Sequence, residues 1–370
     1  MTEKAPFRAD HVGSLLRPPE VLRAREAFKA GTLSGEGLRA AEDKAIREVV
    51  RRQEDIGLSG ITDGEFRRNT WQLDFYNQIG GIGRGEEKIP IHFENKEGST
   101  DFIADSTQVK ARLTLPRTIF GEDFSFLKSV TRRTAKLTIP APSVLHRRGG
   151  RALVDPAVYP DMEEFWSDLS RVYAEEVEQL GKLGCTYLQL DDTSFATLCD
   201  PAHRAAMAEL GVEGDRLHEV YIRVFNEALA RKPAGMSVCT HTCRGNFRSA
   251  WFASGGYEFI AEALFGELKV DGFFLEFDDE RSGGFEPLRF VPKGKRVVLG
   301  LVTSKRAALE RKDDLKRRID QAAKYVPLDQ LCLSPQCGFS STLEGNALTI
   351  EEQFAKLRLV VETAREVWGS

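Results

Sequence analysis

Within Thr240-His241-Thr242-Cys243 an imidazole and a thiol stand two residues apart. In extended chain that spacing sends both side chains to the same side, where they can grip one ion. Another thiol, Cys337, lies far along the chain in Ser334-Pro335-Gln336-Cys337-Gly338. One histidine with two thiolates suits zinc, which favours tetrahedral nitrogen and sulfur coordination. Glu276, closing Phe273-Phe274-Leu275-Glu276, offers a weaker fourth ligand. A catalytic zinc keeps one exchangeable position, where an incoming thiol would lose its proton and become a nucleophile at neutral pH. Spacing alone is equally compatible with His241 and Cys243 as ordinary interior residues.

Distant segments must converge to build such a site, and the hydrophobic pattern supplies them. Short apolar runs read as strands at Asp10–Ser14, Ser59–Asp63, Lys136–Pro140, Thr186–Asp191, Met236–His241, Asp271–Phe277, Arg296–Val302 and Gln330–Ser334. Helical periodicity fills most of the intervals, at Pro19–Phe28, Gly37–Ile56, Asp161–Leu183, Pro201–Ala230, Ser304–Lys324 and Ile350–Val367. Strand–helix alternation with eight strands predicts an α/β fold, a (β/α)8 TIM barrel. Polar or reactive residues close six of the strands: His11/Ser14, Asp63/Glu65, Asp191/Asp192, His241/Cys243, Glu276 and Cys337. In this fold such ends meet at the carboxyl-terminal mouth, so one shared pocket is expected. Residues 80–133 break the rhythm and hold the alternating run Gln108–Leu115, which predicts a β-rich insertion, a hairpin or arm that lids the site or makes dimer contacts. The glycine-rich run Gly80–Gly85 neither follows a clear strand nor opens a helix, which argues against a nucleotide loop.

The 370 residues, 41% hydrophobic and 29% charged, are enough for one barrel with a large core. A net charge of −4 gives no basic surface for nucleic acid or an anionic membrane. No apolar run approaches the roughly 18–20 residues that span a bilayer. The amino terminus has no apolar core, so a cytoplasmic location is expected. Six cysteines in a reducing compartment favour metal or catalytic roles for the clustered ones; Cys185, Cys199, Cys239 and Cys332 read as structural.

Taken together, these motifs resemble the cobalamin-independent methionine synthase family, its catalytic barrel and its shorter single-barrel relatives. Asp10-His11-Val12-Gly13-Ser14 is similar to the family's opening strand, and Thr62-Asp63-Gly64-Glu65-Phe66-Arg67-Arg68-Asn69 to its Gly-Glu-x-x-Arg-Asn turn. Leu190-Asp191-Asp192 resembles its Ile-Asp-Glu segment; His241-x-Cys243, Glu276 and Pro335-Gln336-Cys337-Gly338 resemble its metal ligands in order. The resemblance spans residues 1–370 as one catalytic barrel. It implies Zn2+ on His241, Cys243, Glu276 and Cys337, and homocysteine as the thiol. Glu65 and Asp191 would hold the ammonium and Ser14 the carboxylate. Two carboxylates at a barrel mouth do make a socket for a cation, although a structural ion pair with Arg67, Arg68 or another arginine would use them equally. Asp191 and His11 are the catalytic candidates, His11 as a proton shuttle or pocket wall, against a satisfied buried histidine. The implied activity is that of a 5-methyltetrahydropteroyltriglutamate–homocysteine S-methyltransferase.

The departures from the family fall on the donor side. The chain begins almost directly at the catalytic barrel, without the family's additional amino-terminal barrel. The family's histidine after the seventh strand has no counterpart in Gly300–Lys305, and Asp192 is followed by Thr193 where the family has proline. Methyltetrahydrofolate, a methyl-corrinoid and a different alkylating agent therefore all stand as donors. The alternative on the same scaffold is an epoxyalkane–coenzyme M transferase-like enzyme, with Arg8, Arg17, Arg67, Arg68 and Arg244 available for a sulfonate. A non-enzymatic zinc barrel would want four strong ligands, and a uroporphyrinogen decarboxylase-type barrel would not need the cysteines. Association into a homo-oligomer is left open.

Overall fold

The computed structural model describes residues 4–95, 98–147, 149–209 and 216–369. A parallel sheet of seven strands forms its centre: β1 (Gly60–Ile61), β4 (Thr134–Pro140), β5 (Tyr187–Asp192), β6 (Ser237–Thr242), β7 (Gly272–Glu276), β8 (Arg296–Val302) and β9 (Leu331–Pro335), neighbours in that order. The two missing numbers belong to the insertion, β2 (Gly80–Asn95) and β3 (Gly98–Thr114). The central strands are buried along nearly their whole length, as expected where helices cover a parallel sheet.

The expected first strand, Asp10–Ser14, is not one. Ala9 makes a single parallel bridge to Leu333, and Asp10 N donates to the Leu333 carbonyl at 3.0 Å. On the other side, Leu15 N donates to Gly64 O and Thr62 Oγ1 to Gly13 O. The segment thus takes the eighth place between β9 and β1, closing the barrel without a ladder. The reason lies in Asp10, whose carboxylate accepts from the backbone N–H groups of Phe7 and His11 and competes with sheet pairing. Gly13, at φ 147°, then turns the chain so closely past Thr138 that an added Cβ would lie 2.6 Å from its Cγ2.

The helices follow the apolar stripes with two revisions. The stretch read as one helix over Pro201–Ala230 is two, Pro201–Glu209 and Leu217–Ala228, with residues 210–215 outside the described ones. The stretch Ser304–Lys324 is helical only from Lys312 to Ala322. The insertion is a long antiparallel hairpin, β2 on β3, through residue 114. Its last part, Gly121–Val130, is instead a helix of the outer layer, packing Phe124 and Leu127 into the core. No helix among the described residues is long and apolar enough to cross a membrane.

One buried carboxyl makes a stability prediction. Glu176, fully buried on the helix Met162–Lys182, accepts among the described residues only from Ile119 N, at 3.0 Å. Burial pushes its pKa up to about 8. Between the ordinary carboxylate range and pH 8 the folded state therefore holds a proton that the unfolded state has released, so stability falls as pH rises through that window. Glu176→Gln is expected to raise stability at pH 8 by on the order of 1–2 kcal/mol and to flatten that slope. Urea midpoints at pH 5.5 and pH 8 check this; an equal change at both would refute the carboxyl's part.

Candidate active site

The ends of β6, β7 and β9 deliver the expected ligands. His241 is the fifth residue of β6, Cys243 follows its end, Glu276 closes β7, and Cys337 lies two residues beyond β9. All four are buried, and one potential ligand atom from each lies within 4.8 Å of the others. Cys243 Sγ and Cys337 Sγ are 3.4 Å apart. Neither ring nitrogen of His241 has a hydrogen-bond partner among the described residues. A buried imidazole with both nitrogens unpartnered, facing two thiols and a carboxylate, is a donor set that fits zinc. The contact with Cys243, helped by His241, brings the Cys337 thiol down to about 5 against its burial, while the same contact and burial drive Cys243 well up.

Both oxygens of Glu276 are already held. Oε1 accepts from Arg244 N at 2.8 Å, and Oε2 from Arg281 Nη2 at 2.9 Å. Burial pushes this carboxyl up, yet Arg281, Lys305 and His241 prevail and bring it below its ordinary value. Tyr257 OH fixes the same residue from the backbone side, accepting from Glu276 N at 3.0 Å.

Glu65 and Asp191 join the ligands around one pocket with an internal volume of about 230 Å³, lined also by Ser14, His241, Cys243 and Cys337. Glu65 sits at φ 61°, a strained position for a side chain with a Cβ. The Asp63 carboxylate holds it there by accepting from Glu65 N, and Arg17 donates to its carbonyl. Its carboxylate accepts from Thr138 Oγ1 at 2.9 Å and faces Arg68 Nη1 at 3.6 Å. The ion pair weighed for Glu65 therefore exists with Arg68, while Arg67 turns away to Asp43 and Asp123. Asp191 accepts from Gln189 Nε2 at 2.7 Å. Burial raises its pKa to about 7, the Glu65 charge adding to the rise and His241 opposing it. Ser14 Oγ accepts from Ser340 N and approaches Gly338 so closely that a Cβ there would lie 2.0 Å from it.

His11 is not brought to this pocket. Its Nε2 lies 3.2 Å from Gly60 O, and burial, reinforced by Lys136, lowers its pKa to about 4. It is a neutral imidazole in the closure of the barrel. Cys239 and Cys332 pack with Phe7, Tyr187 and Phe274, and Cys185 and Cys199 belong to the main core, all as structural residues.

The pocket's outer wall escaped the sequence reading. Phe93 and Phe102 of the hairpin stack on Phe247, with ring centroids 5.4 and 4.8 Å apart, and Phe93 meets Phe252 at 5.7 Å. Glu94 and Trp251 exchange backbone hydrogen bonds of 2.7 and 2.8 Å, stitching the arm to the loop after β6. Of the two roles weighed for the arm, covering the site or making dimer contacts, its place on the pocket wall agrees with the first. The signal was available as Phe247 and Phe252, close behind His241-x-Cys243, facing aromatic residues in the alternating arm.

Fold and site together define an α/β barrel with a nitrogen–sulfur–carboxylate cluster at the carboxyl end of its sheet, under an aromatic lid. The chain belongs to the cobalamin-independent methionine synthase catalytic-domain family: residues 7–366 match the model described as cobalamin-independent synthase, catalytic domain. It is 46% identical over 370 residues to the uncharacterized protein YxjH of Bacillus subtilis, covering 99% of this chain and 96% of that one. A methionine synthase of Pyrococcus abyssi is 24% identical over 331 residues, covering 88% and 84%. In structure the chain is similar to a Listeria monocytogenes protein assigned as a vitamin-B12-independent methionine synthase, with TM-score 0.80, 36% identity and full coverage of both chains.

Proposed function

We propose that this chain, as a single catalytic barrel over residues 1–370, is a zinc-dependent methyltransferase that converts homocysteine to methionine. The observation that carries the reading is the clustering of His241, Cys243, Glu276 and Cys337, three of which (His241, Cys243 and Cys337) line a pocket that also presents Glu65 and Asp191. His241, Cys243 and Cys337 would hold the ion, with Glu276 as a weaker fourth ligand. Zinc, when bound, supplies the Lewis acidity that lets a thiol react as its thiolate at neutral pH.

The chain's own residues do the rest. Glu65 and Asp191 bind the ammonium of the amino acid, Glu65 aimed by Thr138 and Arg68, and Asp191 by Gln189. Ser14 binds the carboxylate. Phe93, Phe102, Phe247 and Phe252 exclude water and leave an apolar face for the methyl donor, a methyl-folate or a methyl-corrinoid. An amino-acid thiol is favoured over coenzyme M by the lining. Both carboxylates face the pocket, whereas Arg8, Arg17, Arg67, Arg68 and Arg244 are all absent from its described lining.

Asp191→Asn is expected to weaken homocysteine binding by roughly 10- to 100-fold, the worth of a charged hydrogen bond, and to leave zinc content unchanged. Unaltered homocysteine affinity in that variant would remove the ammonium socket. The proposal as a whole is tested by titrating homocysteine into zinc-loaded protein and following zinc-edge X-ray absorption. A gained sulfur neighbour supports it; bound zinc that gains none argues for another thiol.

A further inference from the structure

Beside the metal pocket, on the far side of the turn Phe247–Ala250, lies another cleft of about 260 Å³. Its walls carry Arg248, Arg281, Lys305 and Arg306 against only two carboxylates, Asp278 and Asp279. Both aspartates are committed: Arg281 pairs with Asp278 at 2.9 Å and with Asp279 at 2.5 Å. Lys305, 5% exposed, meets only neutral oxygens, Gly245 O, Asn246 Oδ1 and Ala250 O, at 3.2 to 3.4 Å. Arg248 and Arg306 are exposed and make no ion pair with any described residue. Arg248 and Arg306 thus stand at the cleft without a carboxylate partner among the described residues, while the Lys305 charge is shared with Glu276 and Asp278. Trp251 adds a flat apolar wall, with Arg281 4.8 Å above its ring.

The backbone is strained where it presents this charge. Arg248 at φ 47° and Ser249 at φ 69° are consecutive left-handed residues without glycine, a combination that costs stability unless its surroundings impose it. They are imposed here: Ser249 N donates to Asn346 Oδ1, Ala347 N to Ser249 Oγ, and Phe247 and Ala250 pair across the turn. One tight turn therefore puts Phe247 into the metal pocket and Arg248 into the neighbouring cleft.

We propose that this cleft is an oxyanion-binding site, taking a carboxylate or phosphate group of a small ligand on Arg248 and Arg306, with Lys305 contributing charge from beneath. Guanidinium groups bind both anions through paired, charge-assisted hydrogen bonds. The site stands independently of the reaction at the metal pocket. Calorimetric titration of the whole zinc-loaded protein with inorganic phosphate and with glutarate, at matched ionic strength, reads it directly. The variants are Arg248→Asn, because asparagine tolerates the left-handed conformation, and Arg306→Gln. Saturable binding of either anion is expected, weakened about tenfold by each substitution. Thermal stability should be unchanged or, for Arg248→Asn, raised. Preference for phosphate would identify a phosphorylated ligand, and preference for glutarate a carboxylate tail. Binding of neither anion, or binding that survives the double variant, would overturn the assignment.

Discussion

On the proposed zinc assignment, Cys337→Ser is expected to yield a folded barrel that binds no zinc and has lost its methyltransferase activity. Serine replaces a buried thiol with a hydroxyl of similar shape, so the packing around β9 survives. A neutral hydroxyl is a poor partner for the ion, and His241, Cys243 and Glu276 remain as an incomplete set. Disturbing groups that merely orient metal ligands costs 10- to 100-fold, so removing a ligand should cost at least about 100-fold in zinc affinity, with activity falling alongside. Metal analysis of the purified variant, beside its far-ultraviolet circular dichroism, makes the check. Zinc retained in equal proportion to the wild-type protein would show that the ion is held elsewhere.

The other large effect lies at the opposite end of the argument, in stability rather than chemistry. Lys136, fully buried in β4, donates to Asp10 Oδ1 at 3.0 Å and to the His11 carbonyl. Its ammonium also stands 4.2 Å from the centre of the Phe274 ring. Asp10 in turn accepts from Tyr187 OH at 2.7 Å and from the N–H groups of Phe7 and His11. Lys136→Met would strand that carboxylate in the core, and breaking one half of a buried pair costs about 3–5 kcal/mol. Unfolding in urea should show that loss. Adding Asp10→Asn to Lys136→Met should recover part of it, because the uncompensated charge is gone. A double variant as unstable as the sum of the two single ones would mean that the pair is not coupled.

The two predictions separate what was legible in the chain from what was not. The candidate metal ligands could be read because each lies at or just past the carboxyl end of a strand, and parallel strands of a closed sheet bring those ends to one mouth whatever the intervening loops do. His241-x-Cys243, Glu276 and Cys337 needed only residue type, period two and eight apolar runs. Glu65, Asp191 and Ser14 were placed at the same pocket by the same rule. The same rule put His11 there too, and the structure does not bring it to the pocket, although it shares a segment with Ser14. Which way a residue faces in Asp10–Ser14 depends on side-chain capping by Asp10 and the turn at Gly13, not on strand alternation.

Tertiary structure alone decided the rest. The charge state of Asp191 reflects burial and the nearness of Glu65, residues more than a hundred positions apart in sequence that only the closed barrel brings together. The orientation of Glu276 is set by Arg281 and the Arg244 backbone, which periodicity does not show pointing at it. The arm was recognisable as β-rich, but its seat over the ligands rests on Phe93 and Phe102 meeting Phe247 and on the Glu94–Trp251 bridge. A hairpin's own pattern fixes its register; where it docks is fixed by side chains on both partners, and those become neighbours only after the chain has folded.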